Sequence, residues 1–399
     1  MADESTAKPI GVRIRELRGR LYTQRQLAER AAVSVDLVRK LEQGTRNTAS
    51  VASLHRIARA LDVTLADLMG RATLPEQHQD EGVTALRFAV TGVDDLVGTA
   101  PVEVEPMTHD EATRTLTHLW GTYWAGKYEQ LTALLPGVLH SLRATVGASG
   151  SRATAAELLA DGYWVAGCVL VHLKQSDAAF LAARQAAQAA DTSADPLLAA
   201  MVRGSIAWQL MASGRYAESE ALAVRAAESI APRGEAALPQ LSAYGSLVLT
   251  AGTAAARSRS EARATDLVAE SARAAERIGG DRSDYHTAFG PSQLTMQSVD
   301  IGVQTGEYRR ALDAARGMPG NGASLPVAAR ARHLTDRALA NTRLGRPGSA
   351  LPLLVAAEQM APSWARHQNL IKSVTRDLLH TRLSAEPGLR NLAERLGVR

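Results

Sequence analysis

Between Thr23 and Gly44 the apolar positions fall into two short clusters at helical spacing, separated by Ala31–Ala32–Val33. Leu27 and Ala28 face inward in the first cluster, and Leu37, Val38 and Leu41 mark one buried stripe in the second. Ser34 precedes the second cluster as an N-cap, because its hydroxyl accepts from the free N–H groups of the next turn. Gly44 follows the cluster, where a left-handed residue is needed to end a helix. Outside the stripe stand Val35, Asp36, Arg39, Lys40 and Gln43. A helix that buries one side and offers Arg and Lys on the other fits a DNA major groove.

From Met107 onward the chain is rich in Ala and Leu at helical spacing nearly to its end, with no strand signals. Four segments share one plan: a helix ends in Gly126, Gly214, Gly306 or Gly345, one charged residue follows, and Tyr or Pro opens a second helix. The intervals suit repeating units of about 45 residues. Two further junctions fall near Gln175–Ser176 and Arg257–Ser258, where the Gly signature is lost but the helix break remains. A two-helix hairpin cannot bury its apolar face alone, so stacked hairpins share a continuous core, with the first helix of each pair lining an inner groove. Between the two regions, 71–106 reads as a polar, turn-rich linker. In it TALRFAVTGVDDLVG leaves helix or strand open, and APVEVEP is extended.

On the segments IGVRIRELR, TQRQLAERAAVSVDLVRKLEQGTRN and SLHRIARALDVTLADLM, Ile10–Met69 resembles the lambda-repressor/Cro-type (XRE family) helix-turn-helix domain. The hairpin series resembles the tetratricopeptide repeat, with units longer than usual. Together they are similar to the peptide-sensing regulators of Gram-positive bacteria. The resemblance implies an all-α chain. A five-helix DNA-binding domain occupies 1–70, with helices at Gly11–Leu21, Gln24–Ala31, Val35–Gln43, Val51–Leu61 and Thr64–Met69. A TPR-like α-solenoid for sensing and dimerisation occupies 107–399. Where the family often has Gly in the turn, this chain has Ala32, so the turn must close without that freedom.

The resemblance also implies roles residue by residue. Ser34, Val35, Asp36, Arg39 and Lys40 match the base-contacting positions, and Thr23, Gln24, Gln43, Arg46 and Asn47 the phosphate-clamping ones. Glu42 matches a position that pairs internally with an Arg of the first helix.

Charge agrees with this. Up to Gly70 there are 12 Lys and Arg against 8 Asp and Glu, and the remainder of the chain balances at 33 of each. The single cysteine, Cys168, excludes an internal disulfide framework, and its apolar run makes it a core residue. The polar first residues hold no signal-peptide pattern, and no run reaches the ~18–20 apolar residues of a membrane span. The expectation is a cytoplasmic protein.

Only 4% of residues are aromatic, yet Trp120, Trp124, Trp164, Trp208 and Trp364 are all expected on first helices. They fill core between repeats or wall a ligand pocket. The candidates for a groove are Trp164, Arg203, Trp208, Gln209, Gln293, Gln297, Arg337 and Asn341, with His367 a further polar group. His172 and His286 are expected in helices as structural groups. Zinc-protease, paired CxxC, phosphate-loop and nucleophile-elbow patterns are missing, and the Gly-rich Gly317–Ser324 reads as a plain loop. Neither enzyme chemistry, cofactor nor metal is expected.

The reading is a sequence-specific transcriptional regulator. Its partners are double-stranded DNA with two-fold related half-sites, a peptide or small-molecule signal, and a second copy of itself. The alternative is an interaction protein that sequesters a partner through its repeats, with DNA binding secondary.

Overall fold

The computed structural model describes residues 10–19, 22–46, 49, 51–61, 79–92 and 104–398. The chain divides into two compact units, Met1–Asp80 and Glu81–Arg399. Apart from one small β-hairpin, the regular structure of the described residues is helical, as the periodicity predicts.

In the first unit α1 (Ile10–Arg18), α2 (Gln24–Arg30), α3 (Val35–Glu42) and α4 (Val51–Ala60) follow the expected order. The expected fifth helix, Thr64–Met69, lies outside the described residues. Two caps start α2 and α3. Thr23 forms a capping box with Gln26, and the Ser34 hydroxyl accepts from the Leu37 N–H at 3.2 Å. The turn between them closes with Ala32 in the left-handed region, φ +47. There Ala32 donates to the Glu29 carbonyl and Val33 to that of Ala28. The core is small: Ile14, Leu27, Val38 and Ile57 are fully buried, each such side chain contributing ~1.5–3 kcal/mol. One glycine sets the approach of α1 to α3. A Cβ at Gly11 would lie 1.7 Å from the Leu41 carbonyl oxygen.

The second unit begins within α5 (Gln79–Thr91), a helix inside the span expected to be linker. Leu86, Ala89 and Val90 recur at i, i+3 and i+4 and are buried in the unit's main core. Arg87 makes a bidentate pair with Asp177. TALRFAV is therefore helix, and the second body starts well before Met107.

Six helical hairpins follow in series: α6 (His109–Trp124) with α7 (Tyr128–Ala148), α8 (Arg152–His172) with α9 (Ser176–Thr192), and α10 (Pro196–Ala212) with α11 (Tyr216–Ser229). Then come α12 (Leu238–Arg257) with α13 (Glu261–Ile278), α14 (Pro291–Gln304) with α15 (Tyr308–Arg316), and α16 (Val327–Arg343) with α17 (Pro347–Met360). Three shorter helices, α18 (Pro362–His367), α19 (Asn369–Leu379) and α20 (Pro387–Arg395), close the series. Helix α8 is long and apolar enough to cross a membrane, but 72% of that window is buried inside the protein, the position of a core helix.

Every hairpin turns the same way. The residue after each first helix's cap is left-handed: Gly126, Lys174, Gly214, Arg259, Gly306 and Gly345, with φ between +62 and +81. Its N–H returns to the carbonyl three residues back, as in Gly214 to Met211 and Lys174 to Val171. The two junctions that lost their glycine keep the geometry and bear the cost on a Cβ.

One element departs from the expected all-helical course. Strands β1 (Arg282–Asp284) and β2 (Thr287–Phe289) pair antiparallel, Ser283 opposite Ala288, between α13 and α14. Their two-residue turn, Tyr285–His286, has positive φ at both residues, where Asn-Gly is usual. Phe289 fixes the hairpin against α12 by packing on Gly245, where an added Cβ would come within 2.3 Å of the ring.

Candidate nucleic-acid face and ligand cavity

On α3, Val38 and Leu41 are buried and Leu37 is half-buried, so the outward face carries Val35, Asp36, Arg39 and Lys40. Val35 is 43% exposed at the start of the helix, an apolar group free to meet a thymine methyl. Asp36 bridges the two cations, 2.6 Å from an Arg39 Nη and 2.7 Å from the Lys40 Nζ. Their hydrogen bonds hold its carboxyl below the usual range. Asp36 thus stays ionised and parks both basic side chains across the exposed face. Ser34 spends its hydroxyl on the cap.

Under this face Glu42 accepts from Arg18 at 2.7 and 3.0 Å and from the Gln24 amide at 2.7 Å. Desolvation works against the charge, yet Arg18 and Gln24 hold the Glu42 carboxyl below its ordinary pKa. The pairing of Glu42 with the first helix is as expected. Gln24 is different: its amide nitrogen is committed internally, because Glu42 has charge to neutralise and Arg18 alone leaves room for a second donor. The Thr23 hydroxyl is likewise engaged in the capping box. Gln43 and Arg46 are exposed beyond α3, and Asn47 lies outside the described residues.

In the second unit the first helices surround one cavity of about 480 Å³. All five tryptophans of the chain line it. Four stand on first helices, as expected; Trp364 is on the short α18. Trp120 is the centre of the aromatic wall, edge-on to Trp164 at 5.3 Å and flat on the His286 ring at 4.3 Å. Its indole N–H donates to Asp161 at 2.8 Å, and the same carboxylate oxygen is 3.1 Å from His286 Nε2. Tyr285 donates to Asp195 at 2.8 Å. These contacts hold the strained turn against α6, α8 and α10. His286 therefore lies in a β-turn, not in a helix, and forms part of the cavity wall.

The far wall is ionic. Asp300 accepts from Arg257 and Arg332, each at 2.7 Å, and Arg332 also gives its Nε to Asp336 at 2.9 Å. Burial pushes the Asp336 carboxyl up, whereas Asp300, between two guanidiniums, is held down. His172 lies flat on Tyr128 at 4.9 Å, and burial lowers its pKa to about 3, so it is neutral near pH 7. Cys168 sits in the lining within 3.5 Å of the Ser205 hydroxyl, with its thiol pushed up to about 11 by burial. That favours the unreactive thiol.

Of the groove residues read from sequence, Trp164, Trp208, Gln293 and Gln297 line the cavity. Arg203, Gln209, Arg337 and Asn341 do not. Arg203 pairs with Asp191, Asn341 bonds the Arg337 carbonyl, and Gln209 is buried with its amide unbonded to protein. Helical rotation is the reason. Gln209 follows Trp208 directly, about 100° round the helix, so the two cannot face the same side. Arg332 and Asp336 share one face at i and i+4, which turns Arg337 and Asn341 away. The sequence reading missed Arg257, Asp300, Arg332 and Asp336, although charges at helical spacing on otherwise apolar first helices mark them. Among the described residues no group of His, Cys, Asp and Glu side chains is arranged to hold a metal ion.

Residues 9–69 match a family model described as a helix-turn-helix domain. No curated protein matches the sequence. Among solved structures, the chain overlaps PlcR from Bacillus thuringiensis, solved in complex with the peptide PapR7 and DNA. Identity there is 16% and the TM-score 0.34, over 68% of this chain and 96% of that one. It also overlaps BtubC (BKLC) from P. vanneervenii at 14% identity and a TM-score of 0.40, over 59% of this chain and 91% of the other. Overlaps this loose carry no functional argument.

Proposed function

With a helix-turn-helix domain at 9–69, we propose that this chain is a non-enzymatic, sequence-specific transcriptional regulator of the XRE type, acting in the cytoplasm. Its TPR-like second unit binds a signal. The observation that carries the DNA-binding half is the solvent face of α3, where Val35, Arg39 and Lys40 stand clear of a helix pinned from below by Val38, Leu41 and Glu42. The base contacts are assigned to Ser34, Val35, Asp36, Arg39 and Lys40. Phosphate contacts go to Gln43, Arg46 and Asn47, with Thr23 and Gln24 at the edge of the footprint. Asp36 trades its two cationic partners for DNA on binding, so Arg39 and Lys40 reach guanine edges without a change of backbone.

One such domain has a small footprint, so the regulator works as a homodimer on half-sites about 34 Å apart. The signal acts by shifting the population of arrangements of the two DNA-binding heads. Its site is the tryptophan-lined cavity, which has the size and the mixed apolar and polar lining of a small-molecule site.

Selection of binding sites from random duplex DNA by the purified full chain tests the proposal. Recovery of a motif with two-fold related halves supports it. Enrichment of nothing above background would overturn it and favour the sequestering alternative.

A further inference from the structure

Building on the signal-binding reading, we propose that the cavity takes a small organic anion with a flat apolar body. Its rings lie against the partly exposed Trp124 and Trp208, and its charge points toward Lys174 and Arg257. The argument is one of unmatched donors. The two carboxylates of the lining, Asp300 and Asp336, are already occupied by guanidinium N–H groups. They leave no anion over for a cationic ligand.

The donors are in surplus. Arg257 gives a single N–H to Asp300, and its Nε is buried without a partner. Among the described residues nothing pairs with the Lys174 ammonium at the cavity wall. The Tyr128 hydroxyl and the Gln368 amide nitrogen are also buried against this cavity without a partner, and Tyr128 is only 1% exposed. A buried donor left unsatisfied costs about 1–3 kcal/mol, which a ligand that supplies acceptors recovers. Charge excess says the same: three cationic side chains face two carboxylates, one of which burial drives toward neutrality.

The flat body follows from the opposite wall. Trp120 and Trp164 meet edge to face, and the His286 ring of the strained hairpin stacks on Trp120, while Trp124 and Trp208 are only partly buried. Trp124 and Trp208 leave aromatic surface open to the cavity, against which a flat ring system packs. A volume of about 480 Å³ suits a compact molecule of two or three rings rather than an extended chain.

The test uses the full chain and two fluorescent probes of nearly equal shape, 8-anilinonaphthalene-1-sulfonate and the neutral N-phenyl-1-naphthylamine, read by energy transfer from tryptophan. The sulfonate is expected to bind one per chain, roughly 10-fold tighter than the neutral probe, and to be displaced by naphthalene-2-carboxylate. Lys174→Gly and Arg257→Gln are each expected to weaken the sulfonate about 5-fold while leaving the neutral probe unchanged. Lys174→Gly keeps the fold, since glycine suits a φ of +62. Equal affinity for the two probes, or sulfonate binding indifferent to both variants, would overturn the proposal, as would displacement by short peptides but not by the aryl carboxylate. DNA binding by the same preparations is measured separately, so loss of probe discrimination with intact DNA binding rejects this ligand class without rejecting the regulator.

Discussion

Replacing Lys174 and Arg259 by glycine should stabilise the helical-repeat unit. Both occupy the position that glycine fills in the other four hairpin turns, at φ +62 and +64. Both keep the hydrogen bonds of that turn, Lys174 to Val171 and Arg259 to Ala256. The native contacts thus stay constant, and the change lies in the Cβ and the freedom of the unfolded chain. A left-handed residue with a Cβ costs ~1–2 kcal/mol. Glycine returns about 0.5–1 kcal/mol of that as extra entropy in the unfolded chain. Each substitution therefore gains roughly 0.5–1 kcal/mol, and the pair, on separate hairpins, about 1–2 kcal/mol. In a body of this size that raises Tm by about 2–6 °C for the double variant. Gly214→Ala is the mirror experiment and should lose about 1 kcal/mol. Urea and thermal unfolding of the parent and the four variants measure this. If the glycine variants are less stable than the parent while Gly214→Ala is neutral, backbone handedness does not govern these turns.

Other consequences are equally direct. Gly11→Ala should cost about 3 kcal/mol or more, because the new Cβ meets a carbonyl oxygen rather than a side chain that can move. Loss of the first unit's cooperative unfolding, with the second unit's helix signal retained by circular dichroism, checks it. Asp36→Ala should release Arg39 and Lys40 and raise non-specific DNA affinity at low salt, an effect that disappears at high salt. His333 is buried with neither ring nitrogen bonded, and burial lowers its pKa to about 4. Its folded pKa lies below the unfolded value of about 6.5, so the unfolded chain takes up a proton first and wild-type stability falls as pH drops below that value. His333→Leu should therefore improve relative to wild type by on the order of 2 kcal/mol between pH 7 and pH 5, measured by urea unfolding at both.

How much of this could be read beforehand follows from range along the chain. The Ser34 cap, the stripe Val38–Leu41 and the glycine turns are local patterns, each written within about one helical turn, and all of them reappear in the structure. The junctions expected near Gln175–Ser176 and Arg257–Ser258 are legible without glycine, with the left-handed residues beside them at Lys174 and Arg259, because the helix breaks outlast the residue that eases them. Trp164 and Trp208 were found because a large aromatic on an Ala-rich helix must face something. Their neighbours failed on rotation: spacing shows that a helix has a face but not which polar residue beside a tryptophan shares it. The Arg257–Asp300–Arg332–Asp336 network joins three helices across tens of residues, so no local pattern predicts its pairing. The β-hairpin escaped notice for a related reason. Its turn, Tyr285–His286, carries none of the residues that usually mark such turns and is held by Asp161, Asp195 and Trp120 from distant helices.

The exposed cationic side of α3 carries the whole proposal. It is tested most directly by the affinity of Arg39→Ala/Lys40→Ala for the selected DNA motif and for unrelated DNA, across a salt series. Loss of two base contacts predicts roughly a 100-fold fall in preference for the motif, with most of the salt-dependent non-specific affinity retained. An unchanged preference would contradict the account.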